Sequence, residues 1–243
     1  MNKMTEGHIV KRYDGEMNLL HQLVLDLGQL VCAQLETAVK TLQDEDPAGA
    51  RKIIERDQEI NRMDVQAEAE LIKLIAKRQP VARDLRELIT VSRIVTDLER
   101  VGDEARKIAE LTVHFYDNDT SPPNRQILRD IINMSSFVKD MLGKSLEAFD
   151  ALDLPGAVAV IRMDRNLEEE FRSSLRRLST FLMEDARSVG HVVDVVLGLR
   201  AIERIGGHAK NIGGYVVFLV KGKDVRHEPL ETVEAEVMGE QAG

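Results

Sequence analysis

Several oxygen-bearing side chains stand at a spacing that could do chemistry. Glu99 and Asp103 lie four residues apart, which puts both carboxylates on one helix face, a turn apart. Asp57 with Asn61, and Asp164 with Glu168, share that spacing. Glu203 opens a further pair, but Gly207 stands where its second carboxylate belongs. Like charges so placed repel, and either a bound cation or the adjacent Arg100 and Arg106 would remove the cost. Oxygen-only clusters suit hard cations such as Mg, Mn or Fe. Asp57 sits within an apolar seam of Ile53, Ile60, Ala67, Leu71 and Leu74. Asp164 sits within another, of Val160, Leu167, Phe171, Leu178 and Phe181. A carboxylate in such a place needs a metal, or an Arg or Lys from a neighbouring helix. The plainer reading of each pair is a solvated helix face, where acid pairs do little.

Other chemistries lack their signatures. No His-x-x-x-His, Glu-x-x-His, Cys-x-x-Cys, phosphate-binding glycine loop or Gly-x-Ser-x-Gly is present. His208 reads as a helix-surface histidine. The 243 residues carry 42 acidic and 33 basic side chains, a formal charge of −9, which argues against a dedicated nucleic-acid binder. The single cysteine, Cys32, has no partner for a disulfide, and a reducing cytoplasm is the simplest setting. The first residues hold no apolar core of a signal peptide, and no stretch approaches the ~20 apolar residues that span a bilayer.

The elements that position these residues are helices. Aromatics make up 4% of the chain and tryptophan is absent, against an all-β fold. The six prolines divide stretches of about 30 residues with apolar side chains every three or four. Six helices are predicted, near 14–45, 48–78, 83–116, 124–152, 156–183 and 190–221, with a break at 184–190 and a linker at 116–124. Their two halves repeat. At an offset of 107, Leu35 meets Leu142, Ala50 meets Ala157, Asp57 meets Asp164 and Ile60 meets Leu167. Beyond Pro80 the offset is 104, and Leu98–Ala109 aligns with Ile202–Gly213. The expected fold is all-α: two tandem three-helix bundles, residues 1–118 and 119–227, then an acidic, solvating tail at 228–243, within which Leu230–Met238 is a candidate short helix.

The segments Glu99-Arg100-Val101-Gly102-Asp103 and Ile202-Glu203-Arg204-Ile205-Gly206 resemble the paired motifs of the PhoU family. So do Ala76-Lys77-Arg78-Gln79-Pro80 and Val220-Lys221-Gly222-Lys223-Asp224-Val225-Arg226-His227, and the likeness runs over about residues 8–227. The resemblance implies a cytoplasmic, non-enzymatic regulator of phosphate uptake, often a homodimer. It implies partners in the ATPase subunit of a phosphate ABC transporter and a phosphate-sensing histidine kinase. Peripheral attachment to the inner membrane would run through those partners. It also implies Fe, Zn, Mg or Mn on acidic motifs, which would engage Asp57, Asn61, Glu99, Asp103, Asp164, Glu168 and Glu203. The second site is the poorer one, because Gly207 and Gly214 replace carboxylates. The competing class is a metal-storing or hydrolytic helical bundle. The basic residues Lys77, Arg78, Arg83 and Arg86 read either as a contact for phosphate or an acidic partner, or as balance for nearby acids.

Overall fold

Proline and aspartate set where the helices begin. In the computed structural model, which describes residues 11–117, 122–184 and 186–239, α1 (Lys11–Asp44) ends at Glu45 in the left-handed region, φ 57°. Asp46 then caps α2 (Pro47–Arg78), its carboxylate accepting from the Gly49 N–H at 2.9 Å, while Pro47 occupies the first turn and so costs no hydrogen bond. The second half repeats the device. Leu152, 107 residues after Glu45, also takes positive φ at 52°, and Asp153 precedes α5. Gln79, left-handed as well, closes α2 before Pro80.

The remaining helices among the described residues are α3 (Ala82–Tyr116), α4 (Arg125–Ala151), α5 (Leu154–Glu184), α6 (Val189–Lys221) and α7 (Leu230–Met238), with a 3₁₀ turn at Ala186–Ser188. The six long helices fall within three residues of the bounds read from the sequence. The expected boundary at 118/119, Asp185 in the expected break, the first residues of the chain and the end of the tail lie outside the described residues.

The chain is all-α, two three-helix bundles in tandem. In the first, α2 packs on α1 and α3; in the second, α5 packs on α4 and α6. The bundles join along two further contacts, α1 on α4 and α3 on α6. Both run antiparallel: His21 meets Asp150 while Glu36 meets Lys139, and Arg93 lies over Phe218 while His114 meets Asp194. Four helices therefore form the centre, with α2 and α5 on opposite flanks. The buried apolar residues of all six make one continuous core.

The candidate short helix of the tail is present, and it is docked rather than solvated. Leu230–Met238 is a helix docked on α5, with Val233 and Val237 buried. Glu234 and Glu231 pair with Arg162 and Arg165, and Glu236 pairs with Lys223. The acidic residues that read as solvating flank the two buried valines and answer bases on α5 and the preceding loop. The description of 228–243 as a flexible tail therefore does not hold for Leu230–Met238.

Candidate functional site

In the first bundle the seam brings Asp57 inside, 4% exposed, against α1 and α3. Its Oδ1 accepts from Gln34 Nε2 at 2.8 Å, and its Oδ2 lies 3.2 Å from Arg106 Nε. Arg106 also reaches Asp103 Oδ1 from Nη2 at 3.2 Å, and Glu110 from Nη1. Glu99 is half-buried beside them. Its carboxyl is pushed up, first by burial and then by the charges of Asp103, Asp64 and Asp57, with Arg100 opposing. Asn61 is exposed. The structure thus gathers Asp57, Glu99 and Asp103, adds Asp64 and Glu110, and supplies a guanidinium that faces Asp57, Asp103 and Glu110.

The second bundle is sparser. Asp164 is half-buried and accepts from Lys210 Nζ at 2.6 Å. Glu168 is exposed and pairs with Arg172 one turn on. Glu203 is half-buried and pairs with Arg200 at 3.3 Å. Gly207 faces open space. The close approach of the third helix to the second is common to both copies. A Cβ on Gly102 would lie 2.9 Å from Cδ1 of Ile60, and one on Gly206 would lie 2.0 Å from Cδ2 of Leu167. Glycine at these two points lets the helix carrying Arg106 or Lys210 come within hydrogen-bonding reach of the seam aspartate.

The same division is found by comparison with known proteins: the PhoU domain profile matches residues 24–112 and again 131–216. The chain belongs to the PhoU family. It is 38% identical over 232 residues to a phosphate-specific transport system accessory protein PhoU homolog of Pseudomonas putida, covering 96% of this chain and 90% of that one. It is 32% identical over 220 residues to the phosphate-specific transport system accessory protein PhoU of Escherichia coli K12, covering 90% of each. The crystal structure of PhoU from Pseudomonas aeruginosa superimposes with a TM-score of 0.80 at 36% identity, over 87% of this chain and all of that one. The phosphate transport system regulatory protein PhoU from Streptococcus pneumoniae does so at 0.78 and 26%, over 87% of this chain and 98% of that one.

Within this PhoU-family chain the Glu-x-x-x-Asp motif is complete at Glu99–Asp103 and broken at Glu203–Gly207. A metal there would need several free carboxylates converging on one point. Among the described residues no three His, Cys, Asp or Glu side chains do so. Asp57, the innermost donor, already has a guanidinium and an amide on its two oxygens, and Asp164 has an ammonium. As folded, the donor set does not fit a metal centre.

Sequence reasoning missed a second polar line, on the face of α3 turned to α6. Asp97 and Glu104 are buried there, seven residues apart. Asp97 Oδ1 pairs with His208 Nδ1 at 2.7 Å, and Glu104 Oε1 with Arg204 Nη1 at 3.3 Å and Lys107 Nζ at 2.8 Å. The reading of His208 as a surface histidine is therefore corrected: its side chain is 16% exposed and anchored across the bundle boundary. Farther along, burial and then the Asp97 carboxylate push the Tyr215 hydroxyl up to about 12. The recurrence Thr90, Asp97, Glu104, Leu111 was the available signal, a seven-residue stripe beside the apolar one. Of the basic cluster, Lys77 and Arg78 both pair with Glu16, so these two balance an acid.

Proposed function

We propose that this protein is a non-catalytic regulator of phosphate uptake. It links the ATPase subunit of the phosphate ABC transporter to the phosphate-sensing histidine kinase, and keeps the phosphate regulon off while phosphate is plentiful. The observation that carries this reading is the PhoU-domain match of both bundles, with 32–38% identity over nearly the whole chain to phosphate-specific transport accessory proteins. The protein works in the cytoplasm as a homodimer. Its contact with the membrane runs through its partners; no helix among the described residues is long and apolar enough to cross a membrane.

The site geometry supports an adaptor over an enzyme. A metal-dependent hydrolase or a metal store needs an open coordination position and a base beside it. Here the buried carboxylates are held by Arg106, Gln34 and Lys210. Burial pushes the Cys32 thiol up to about 11, which leaves it a poor nucleophile at neutral pH. A phosphate-starvation reporter in a deletion strain tests the proposal. Output should be high in phosphate-rich medium and fall when the gene is restored. Output that stays low without the protein overturns the regulatory reading, and a pull-down from phosphate-replete cells that recovers neither transporter nor kinase overturns the linkage.

A further inference from the structure

A metal on these motifs would have one task that the fold demands, to neutralise an aspartate set in an apolar seam. In each bundle a side chain performs it. Arg106 Nε lies 3.2 Å from Asp57 Oδ2, and Lys210 Nζ lies 2.6 Å from Asp164 Oδ2. Arg106 and Lys210 are the same position of the repeat, as are Asp57 and Asp164. The two copies have diverged between guanidinium and ammonium, yet each keeps a positive charge opposite the seam aspartate.

The supporting contacts scale with burial. Asp57, 4% exposed, receives a second donor from Gln34, whose amide also bonds the Gly102 carbonyl at 3.2 Å. The Asp164 side chain is 26% exposed, and the repeat position of Gln34 is the buried Met141. In the first bundle the guanidinium collects Asp57, Asp103 and Glu110 from two helices, the kind of oxygen set a hard cation would gather.

We propose that Arg106 and Lys210 are built-in cations that take the place of a metal ion at the acidic motif of each bundle. The chain therefore neutralises its seam aspartates, and holds its second and third helices together, without divalent metal. The inference stands apart from the choice of partners.

Metal analysis and thermal melting of the full-length protein test it. The purified wild type should carry well under one equivalent of Mg, Mn, Fe or Zn, and its melting temperature should not move with EDTA or with added Mn²⁺. Arg106→Gln leaves Asp57 buried without its counter-charge and should lower the melting temperature by on the order of 5–10 °C. Added Mn²⁺ should then recover part of that loss. Arg106→Lys keeps the charge and should stay insensitive to Mn²⁺. Lys210→Gln, at the more exposed site, should show the same Mn²⁺ response on a smaller loss, and it serves should Arg106→Gln fail to fold. The proposal is overturned if the wild type holds a stoichiometric metal that Asp57→Asn or Glu99→Gln releases. It is equally overturned if EDTA lowers the wild-type melting temperature, or if Mn²⁺ moves no charge-loss variant.

Discussion

Gly206 and Leu167 are in such close contact that a single methyl cannot be added without moving the core. The 2.0 Å approach at Gly206 involves a buried leucine with little room to retreat. Gly206→Ala should lower the unfolding free energy by about 1–3 kcal/mol, read from urea denaturation. Gly207, its neighbour, faces open space, so Gly207→Ala should raise it by about 0.5–1 kcal/mol in the same assay. Charge at single residues also sets a pH response. The Arg226 guanidinium holds the Asp224 carboxyl down to about 2, from an ordinary value of 3.8. A carboxyl lowered in the folded state stabilises above its ordinary value, and that contribution is lost as pH falls from about 4 towards about 2. The Asp224 side chain is 38% exposed, so screening keeps the effect under about 1 kcal/mol. In calorimetry, Asp224→Asn should therefore flatten the decline in melting temperature between pH 4 and pH 2; an unchanged slope would remove Asp224 from the account.

Helix ends obey local chemistry closely enough to be edited one at a time. The Asp46 carboxylate accepts from the Gly49 N–H in the first turn of α2, and Asp46→Ala should cost about 1 kcal/mol in equilibrium unfolding. The last helix depends on a long-range contact instead. Val233 and Val237 hold α7 to α5, and burial of one valine is worth about 1.5–3 kcal/mol. Val233→Asp should release α7, seen as fast amide exchange over residues 230–238 with protection elsewhere unchanged. Equal loss of protection in α5 would mean that α7 is part of the cooperative core. The six long helices were legible because proline spacing and a 3.6-residue apolar period are local properties. The placement of α7 was not, because its acidic residues look solvent-seeking until Arg162, Arg165 and Lys223 are seen opposite them.

At the scale of the molecule, the two bundles meet as an approximate pair of equals with one asymmetry. Along the seam α3 contributes acids, Asp97 and Glu104, and α6 contributes bases, Arg204 and His208. Glu104 and His208 are the same position of the repeat, so one copy carries an acid where the other carries an imidazole. If two first bundles met in this way, Asp97 would face Glu104; if two second bundles met, Arg204 would face His208. Two first bundles would set two buried acids together, and two second bundles would leave Arg204 and His208 without the acids that answer them here, which favours first on second. Two halves divided in the 118–121 linker and co-expressed should therefore form a one-to-one complex, measured by analytical ultracentrifugation. A stable homodimer of either half alone would contradict that account. The intact chain should unfold in a single transition, because one core runs through both bundles.

The sequence by itself determined the helices, the doubling and the awkward placement of Asp57 and Asp164, since each depends on spacing along one strand of chain. It left open whether those aspartates are answered by a metal or by a base, and it gave His208 to solvent. Which side chains stand opposite these residues came only from the tertiary structure. Periodicity tells which face of a helix is buried, whereas the group opposite that face comes from another helix: Gln34 and Arg106 for Asp57, Lys210 for Asp164, Asp97 for His208. Such pairings form when packed helices exclude water, and no pattern within a single helix records them.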